Sequence, residues 1–201
     1  LFAGSQIVVT GRYRMSGTTT ITLKGEVNGQ TQTFSFPAQV FTNNSTEKGN
    51  SALPRLWATR KIGYLLNQIR LNGPDQETID QIVRLSIRFG IVTPYTSYLV
   101  TEDMPLGAAE QERIANDQYS FMGTATAAPV SGAPAVEKAA DQGRMAGADS
   151  VLPPSEETTR TVRIIGARTF VKNKEIWVDT TYDPDSMQTA KVPFLSKDYF
   201  V

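Results

Sequence analysis

Residues 1–42 alternate apolar and polar positions with a period of two, and that pattern predicts antiparallel sheet. SQIVVTGRYRM forms one expected strand. TTTITLKGEV and QTQTFSFPAQVF form two more, on either side of Asn28-Gly29. Asn-Gly is the strongest short hairpin signal, because both residues accept the positive φ that a tight reverse turn requires. Ile21, Leu23 and Val27 fall on one face of the first arm, and Phe34 and Phe36 on one face of the second. Thr and Gln lie between them, so the expected sheet is wet on one side. A polar loop, NNSTEKGNSA, follows at about 43–52.

The period then lengthens. Pro54 suits a first helical turn. Ala58, Ile62, Leu65 or Leu66, and Ile69 recur at helical spacing, with Arg60, Asn67 and Arg70 off the stripe. Asn72-Gly73 is the expected stop and Pro74 the start of a second helix. Asp75 and Glu77 in its first turn and Arg84 and Arg88 in its last match the sign of the helix dipole at each end. Ile79, Ile82, Val83 and Leu85 or Ile87 supply its apolar face, and Gly90 ends it. The short connection makes residues 54–90 an antiparallel helical hairpin. IVTPYTSYLV, β-branched and aromatic, is read as a strand after it.

From Ala108 to Thr159 the chain is rich in Ala, Gly, Pro and Ser and poor in large apolar residues, so it predicts a long connector, with a short helix at about 135–145. Beyond Arg160, TVRIIGARTFVKNKEIWVDTTY predicts strands joined by a hairpin at Asn173-Lys174, and KVPFLSKDYFV the start of another strand. The expected organisation is a sheet-plus-helical-hairpin domain at 1–107, a flexible connector at 108–159 and a C-terminal β-hairpin segment at 160–201. The chain begins with Leu1 inside a strand-like stretch and ends on Tyr199-Phe200-Val201, which reads as a fragment or a processed product.

Composition narrows the chemistry. The 201 residues contain no Cys and no His. Disulfides, thiolate metal sites, Ser-His-Asp and Cys-His catalysis are therefore absent from this chain. Lys and Arg together number 20, as do Asp and Glu, which leaves no net charge to attract nucleic acid or an anionic membrane. Arg12, Arg14, Arg55, Arg60 and Lys61 are spread over at least two elements rather than along one stripe. No apolar run approaches the length of a membrane span. No phosphate-cradling glycine motif is present.

The remaining candidates each have a plain alternative. Trp57 could be a stacking platform, but on an amphipathic helix start it reads as core. Trp177, in the C-terminal hairpin, could stack a sugar together with Tyr182, but packing is the simpler reading. Thr93, Thr96 and Ser97 form a hydroxyl cluster that no base activates, since Lys61 is not placed by any motif, and the residues suit the backbone around Pro94. Glu102, Asp103, Asp179, Asp183 and Asp185 could ligate calcium, but DTTYDPDS lacks the spacing of a calcium loop. Asn43-Asn44-Ser45-Thr46 contains overlapping glycosylation sequons. No catalytic residue, cofactor-binding residue, metal ligand or cofactor is expected.

Four segments, in the same order along the chain, resemble the region that follows the von Willebrand factor A domain in bacterial proteins with VIT and von Willebrand factor A domains, and in the inter-alpha-trypsin inhibitor heavy chains. They are LFAGSQIVVTGRYR, Leu56-Trp57-Ala58, Gly90-Ile91-Val92-Thr93-Pro94-Tyr95-Thr96-Ser97, and Arg168-Thr169-Phe170-Val171 through Trp177-Val178-Asp179. The resemblance implies a sandwich-like β-domain beside a helical segment, in an exported or surface-associated protein that binds other macromolecules. The metal-ion-dependent adhesion motif of that family, Asp-x-Ser-x-Ser, does not occur here; Asp183-Pro184-Asp185-Ser186 does not match it.

The combined expectation is an α+β chain with antiparallel β-sandwich-like sheets, and a non-enzymatic interaction or structural module acting through sheet edges and packing surfaces. Its partners would be other protein chains, the von Willebrand factor A part of the same polypeptide, or a second copy, with no nucleic acid and no membrane span. The expected location is extracellular, periplasmic or cell-surface. The alternative is a carbohydrate-binding sandwich that uses Trp177 and Tyr182.

Overall fold

Two helices pack together around one buried cluster, the second of them packs on a three-stranded sheet around another, and a long two-stranded ribbon has almost every residue exposed. The computed structural model describes residues 7–42, 52–96, 107, 110–111, 113–114, 117, 132–150 and 156–199. The fold is α+β with two antiparallel sheets, as expected.

Helix α1 spans Leu53–Asn72, with Pro54 in its first turn and Gly73 donating its N–H to the Ile69 carbonyl at the end. Helix α2 spans Gln76–Phe89. Asp75 is its N-cap, accepting from the Thr78 N–H at 2.9 Å. Asp75 and Pro74 thus stand just outside the helix rather than in its first turn. The apolar stripes fall where the spacing places them. Ala58, Ile62, Leu65 and Leu66 of α1 and Ile79, Ile82, Val83 and Ile87 of α2 are all buried, and Leu85 is half-buried.

Strands β3 (Val162–Ile165), β4 (Arg168–Asn173) and β5 (Ile176–Asp179) form the antiparallel sheet that α2 covers. Val162 pairs with Val171, and Val171 with Val178. Val162 and Val171 pack on Ile79, Val83 and Ile87. The second hairpin turns at Lys174-Glu175, one residue beyond the expected position, because Asn173 still pairs with Ile176.

Gly90 joins helix to sheet. It takes φ 59° to end α2, and a Cβ there would lie 2.6 Å from a Val162 methyl and 2.7 Å from a Thr169 methyl. The last carbonyls of α2 are taken up by two distant side chains. Arg55 Nη1 donates to the Phe89 carbonyl at 2.6 Å, and Thr180 Oγ1 to that of Arg88 at 3.1 Å. Burial lowers the Arg55 pKa, and the negative end of the helix dipole offsets part of that cost.

Inside the expected connector, helix α3 spans Ala133–Ala146, slightly longer than the sequence suggests, and packs against α1. The crossing is close. A Cβ on Gly63 would lie 2.4 Å from the Ala146 backbone nitrogen. A short helix, α4 (Glu156–Thr161), leads into β3.

Strands β1 (Gly17–Val27) and β2 (Gln30–Phe41) form the ribbon. Asn28 at φ 51° and Gly29 at φ 76° make its turn, as the dipeptide predicts. A register shift between Thr19 and Ile21 accompanies Ala38 at φ 55° on the opposite strand.

Among the described residues, three expected strands are not found. Residues 7–16 carry no strand; this stretch lies against α1, where Arg60 Nη2 donates to the Val8 carbonyl at 3.0 Å. Residues 91–96 form a turn rather than a strand. Pro94 has no N–H for a ladder, and the Thr93 N–H is donated to the Thr96 hydroxyl at 3.1 Å. Residues 191–199 form turns and a 3-10 helix at Lys197–Tyr199. Leu195 at φ 62° interrupts any extended run there.

Candidate interaction surface

The ribbon concentrates apolar side chains where no described element covers them. Cross-strand register sets Ile21 opposite Phe36 and Leu23 opposite Phe34. One face therefore carries two aliphatic-aromatic pairs in adjacent rows, a favourable arrangement on antiparallel strands. Their exposed fractions are 44% for Ile21, 45% for Leu23, 50% for Phe34 and 48% for Phe36. Every residue of β1 is exposed, and every residue of β2 except Phe41. Each strand pairs only with the other, so both outer edges lack a ladder partner among the described residues. Tyr13 holds the base of the ribbon, with its hydroxyl on the Thr42 carbonyl and its ring edge-on to Phe41.

The other sequence candidates have assigned structural partners. Trp57 is half-buried and meets Phe89 edge-to-face, with ring centres 6.5 Å apart. The Thr93 and Thr96 hydroxyls lie 2.8 Å apart, and Thr96 Oγ1 reaches the Ile91 carbonyl. Both are used in the Pro94 turn; Ser97 lies outside the described residues, as do Glu102, Asp103 and Asn43 to Thr46.

Trp177 is half-buried on the sheet face opposite α2, and the Arg163 guanidinium sits 4.4 Å above its ring. That cation occupies the surface on which a sugar ring would stack. Asp183 accepts from the Asp185 N–H and the Ser186 hydroxyl, and these bonds hold its pKa down. Asp179 is partly buried, which pushes its pKa up. Hydrogen bonds from Thr181 and the nearby Arg168 outweigh burial and lower it overall. These carboxylates hold turns together, and the described residues contain no cluster able to bind a metal ion.

A second surface is a groove of about 290 Å³ beside α1. Trp57, Lys61 and Tyr64 form one wall, and Val8, Val9 and Thr10 the other. The three helix residues are spaced i, i+4, i+7 and so share a face. In the sequence Trp57 and Lys61 stand as separate candidates and Tyr64 does not stand out. The spacing was the available signal, but the opposite wall comes from some 50 residues earlier. Arg12 lies 5.4 Å above the Trp57 ring centre, and Lys61 Nζ 5.2 Å from that of Tyr64.

Among the described residues no helix is long and apolar enough to cross a membrane. No protein-family model matches the chain, and no solved structure matches it. Over 111 residues, 51% of its length, the chain is 32% identical to human inter-alpha-trypsin inhibitor heavy chain H4. Over 110 residues, 50% of its length, it is 31% identical to the mouse inter-alpha-trypsin inhibitor heavy chain 4. The chain spans only 12% of the length of each of these relatives.

Proposed function

We propose that this chain is a non-enzymatic protein-interaction module of an exported bacterial protein of the VIT and von Willebrand factor A type, placed after the von Willebrand factor A domain. The observation that carries the reading is the exposed row of Ile21, Leu23, Phe34 and Phe36 on a ribbon whose two edges have no ladder partner among the described residues. An isolated two-stranded ribbon is marginally stable in water. Packing against a second protein surface removes the apolar face from water, and strand addition at an edge satisfies its backbone. The similarity to heavy chain H4 supports the family context, and the chain has no His or Cys for imidazole or thiolate catalysis.

The test compares wild type with the Leu23→Asp and Phe34→Asp double variant. Wild type should self-associate in sedimentation velocity and enhance anilinonaphthalene sulfonate fluorescence. The double variant should be a dye-silent monomer with the same helical circular dichroism. A wild-type monomer that leaves the dye dark and protects its ribbon amides from exchange would sink the reading.

A further inference from the structure

The groove beside α1 is a separate surface from the ribbon, and the geometry points to a binding site there for an extended acidic peptide. Three observations converge. The first is charge. Arg12 and Lys61 flank the groove, and neither meets a carboxylate among the described residues; each rests on an aromatic ring instead. Arg60 is engaged with the Val8 and Ala148 carbonyls and lies 3.9 Å from Asp149, so it is the neutralised member of the set. Two cations thus remain for an anionic partner, held in place by rings that also offer apolar contact.

The second is backbone. Val9 is 84% exposed, and among the described residues the Val9 and Thr10 backbone groups take part in no hydrogen bond. The segment is not helical and lies against α1 through the Val8 carbonyl. A free stretch of this kind can accept a strand. The third is shape. The opposite wall is the Trp57 and Tyr64 face of α1. A peptide paired with the Val9 segment would turn one set of alternate side chains toward that face, where Arg12 and Lys61 suit carboxylates, and the other set away from it, where β-branched residues favour the extended chain.

The probe is a short fluorescein-labelled peptide of alternating glutamate and valine, titrated into the full chain by fluorescence anisotropy. The matching lysine-valine peptide and dextran sulfate serve as comparators. The glutamate-valine peptide should bind saturably and more weakly as salt rises, and the lysine-valine peptide should not bind. Lys61→Glu should weaken binding about tenfold, as should Arg12→Glu. Val9→Pro removes an N–H that no group among the described residues uses, and should weaken binding while leaving the thermal midpoint unchanged. Lys61→Gln, milder than the charge reversal, should give an intermediate loss at unchanged fold. No saturable binding, or binding indifferent to Lys61→Glu and Val9→Pro, overturns the proposal. So does binding that dextran sulfate displaces and Val9→Pro does not alter, because that marks a polyanion surface rather than a peptide groove.

Discussion

The helix-and-sheet body and the β1–β2 ribbon use the same residue types to opposite effect. In the body, Ile62 and Ile82 are sealed between α1 and α2, and Ile79 and Val83 between α2 and strands β3 and β4. In the ribbon, Ile21, Leu23, Phe34 and Phe36 lie in equally regular rows and remain half in water. The difference is a second layer. A sheet face is stable when another element covers it, and α2 covers the three-stranded sheet while no described element covers the ribbon. Regular pairing and a sound turn are therefore enough to shape a strand pair but not to bury it. The body is where changes should register as stability, and the ribbon where they should register as association.

The largest effect is expected at Gly90, where the body is tightest. Alanine there meets both a left-handed backbone and two methyl groups, so Gly90→Ala should lower unfolding stability by about 3 kcal/mol in urea titrations. An unchanged midpoint would mean that α2 is not fastened to β3 and β4 as described. Next comes Gly63→Ala. Its Cβ cannot coexist with the Ala146 backbone, so α3 must shift at a cost of about 2 kcal/mol. Hydrogen exchange should show faster amides in α3 with α2 still protected. Loss of protection throughout would show α3 to be integral to the body.

Leu23→Ser with Phe34→Ser tests the other side of the comparison. Side chains already half in water lose little on becoming polar, so the thermal unfolding of the body should move by less than about 0.5 kcal/mol. Association should fall sharply. A large drop in body stability would show that the ribbon is covered after all.

The same contrast explains what could be read from the sequence. The Asn28-Gly29 turn and the two helices depend on neighbours within a few residues, so local pattern locates them closely. Residues 5–15, 91–100 and 191–201 read as strands because β-branched and aromatic residues favour extended chain. A strand also needs a partner, and local pattern says nothing about partners. Arg60 draws the first stretch against α1, Pro94 turns the described part of the second, and Leu195 breaks the third. Gly63 and Gly90 look like ordinary glycines until the surfaces they touch are known. Half of the groove was legible in the spacing of Trp57, Lys61 and Tyr64; the half formed by Val8, Val9 and Thr10 was not, because only tertiary packing brings it there.

The smallest expected effect is acid sensitivity, and it too should distinguish the two regions. Asp75 caps α2, and its pKa is lowered by hydrogen bonds from Thr78. Asp179 closes the end of β5. Burial raises its pKa, but the Thr181 and Arg168 contacts prevail and lower it. Both folded values lie below that of an unfolded aspartate, about 3.9. Their contribution is therefore complete above that value and is lost as pH falls through the folded values. No ion pair or carboxylate hydrogen bond involves β1 or β2 among the described residues. Asp75→Asn keeps a capping acceptor, and Asp179→Asn keeps one for the Thr181 N–H, yet neither titrates. The double variant should be modestly less stable near neutrality and should lose less of its thermal midpoint between about pH 5 and pH 3 than wild type. Equal acid losses in the two proteins would show that these carboxylates do not anchor the body, and the source of its acid sensitivity would have to be sought elsewhere.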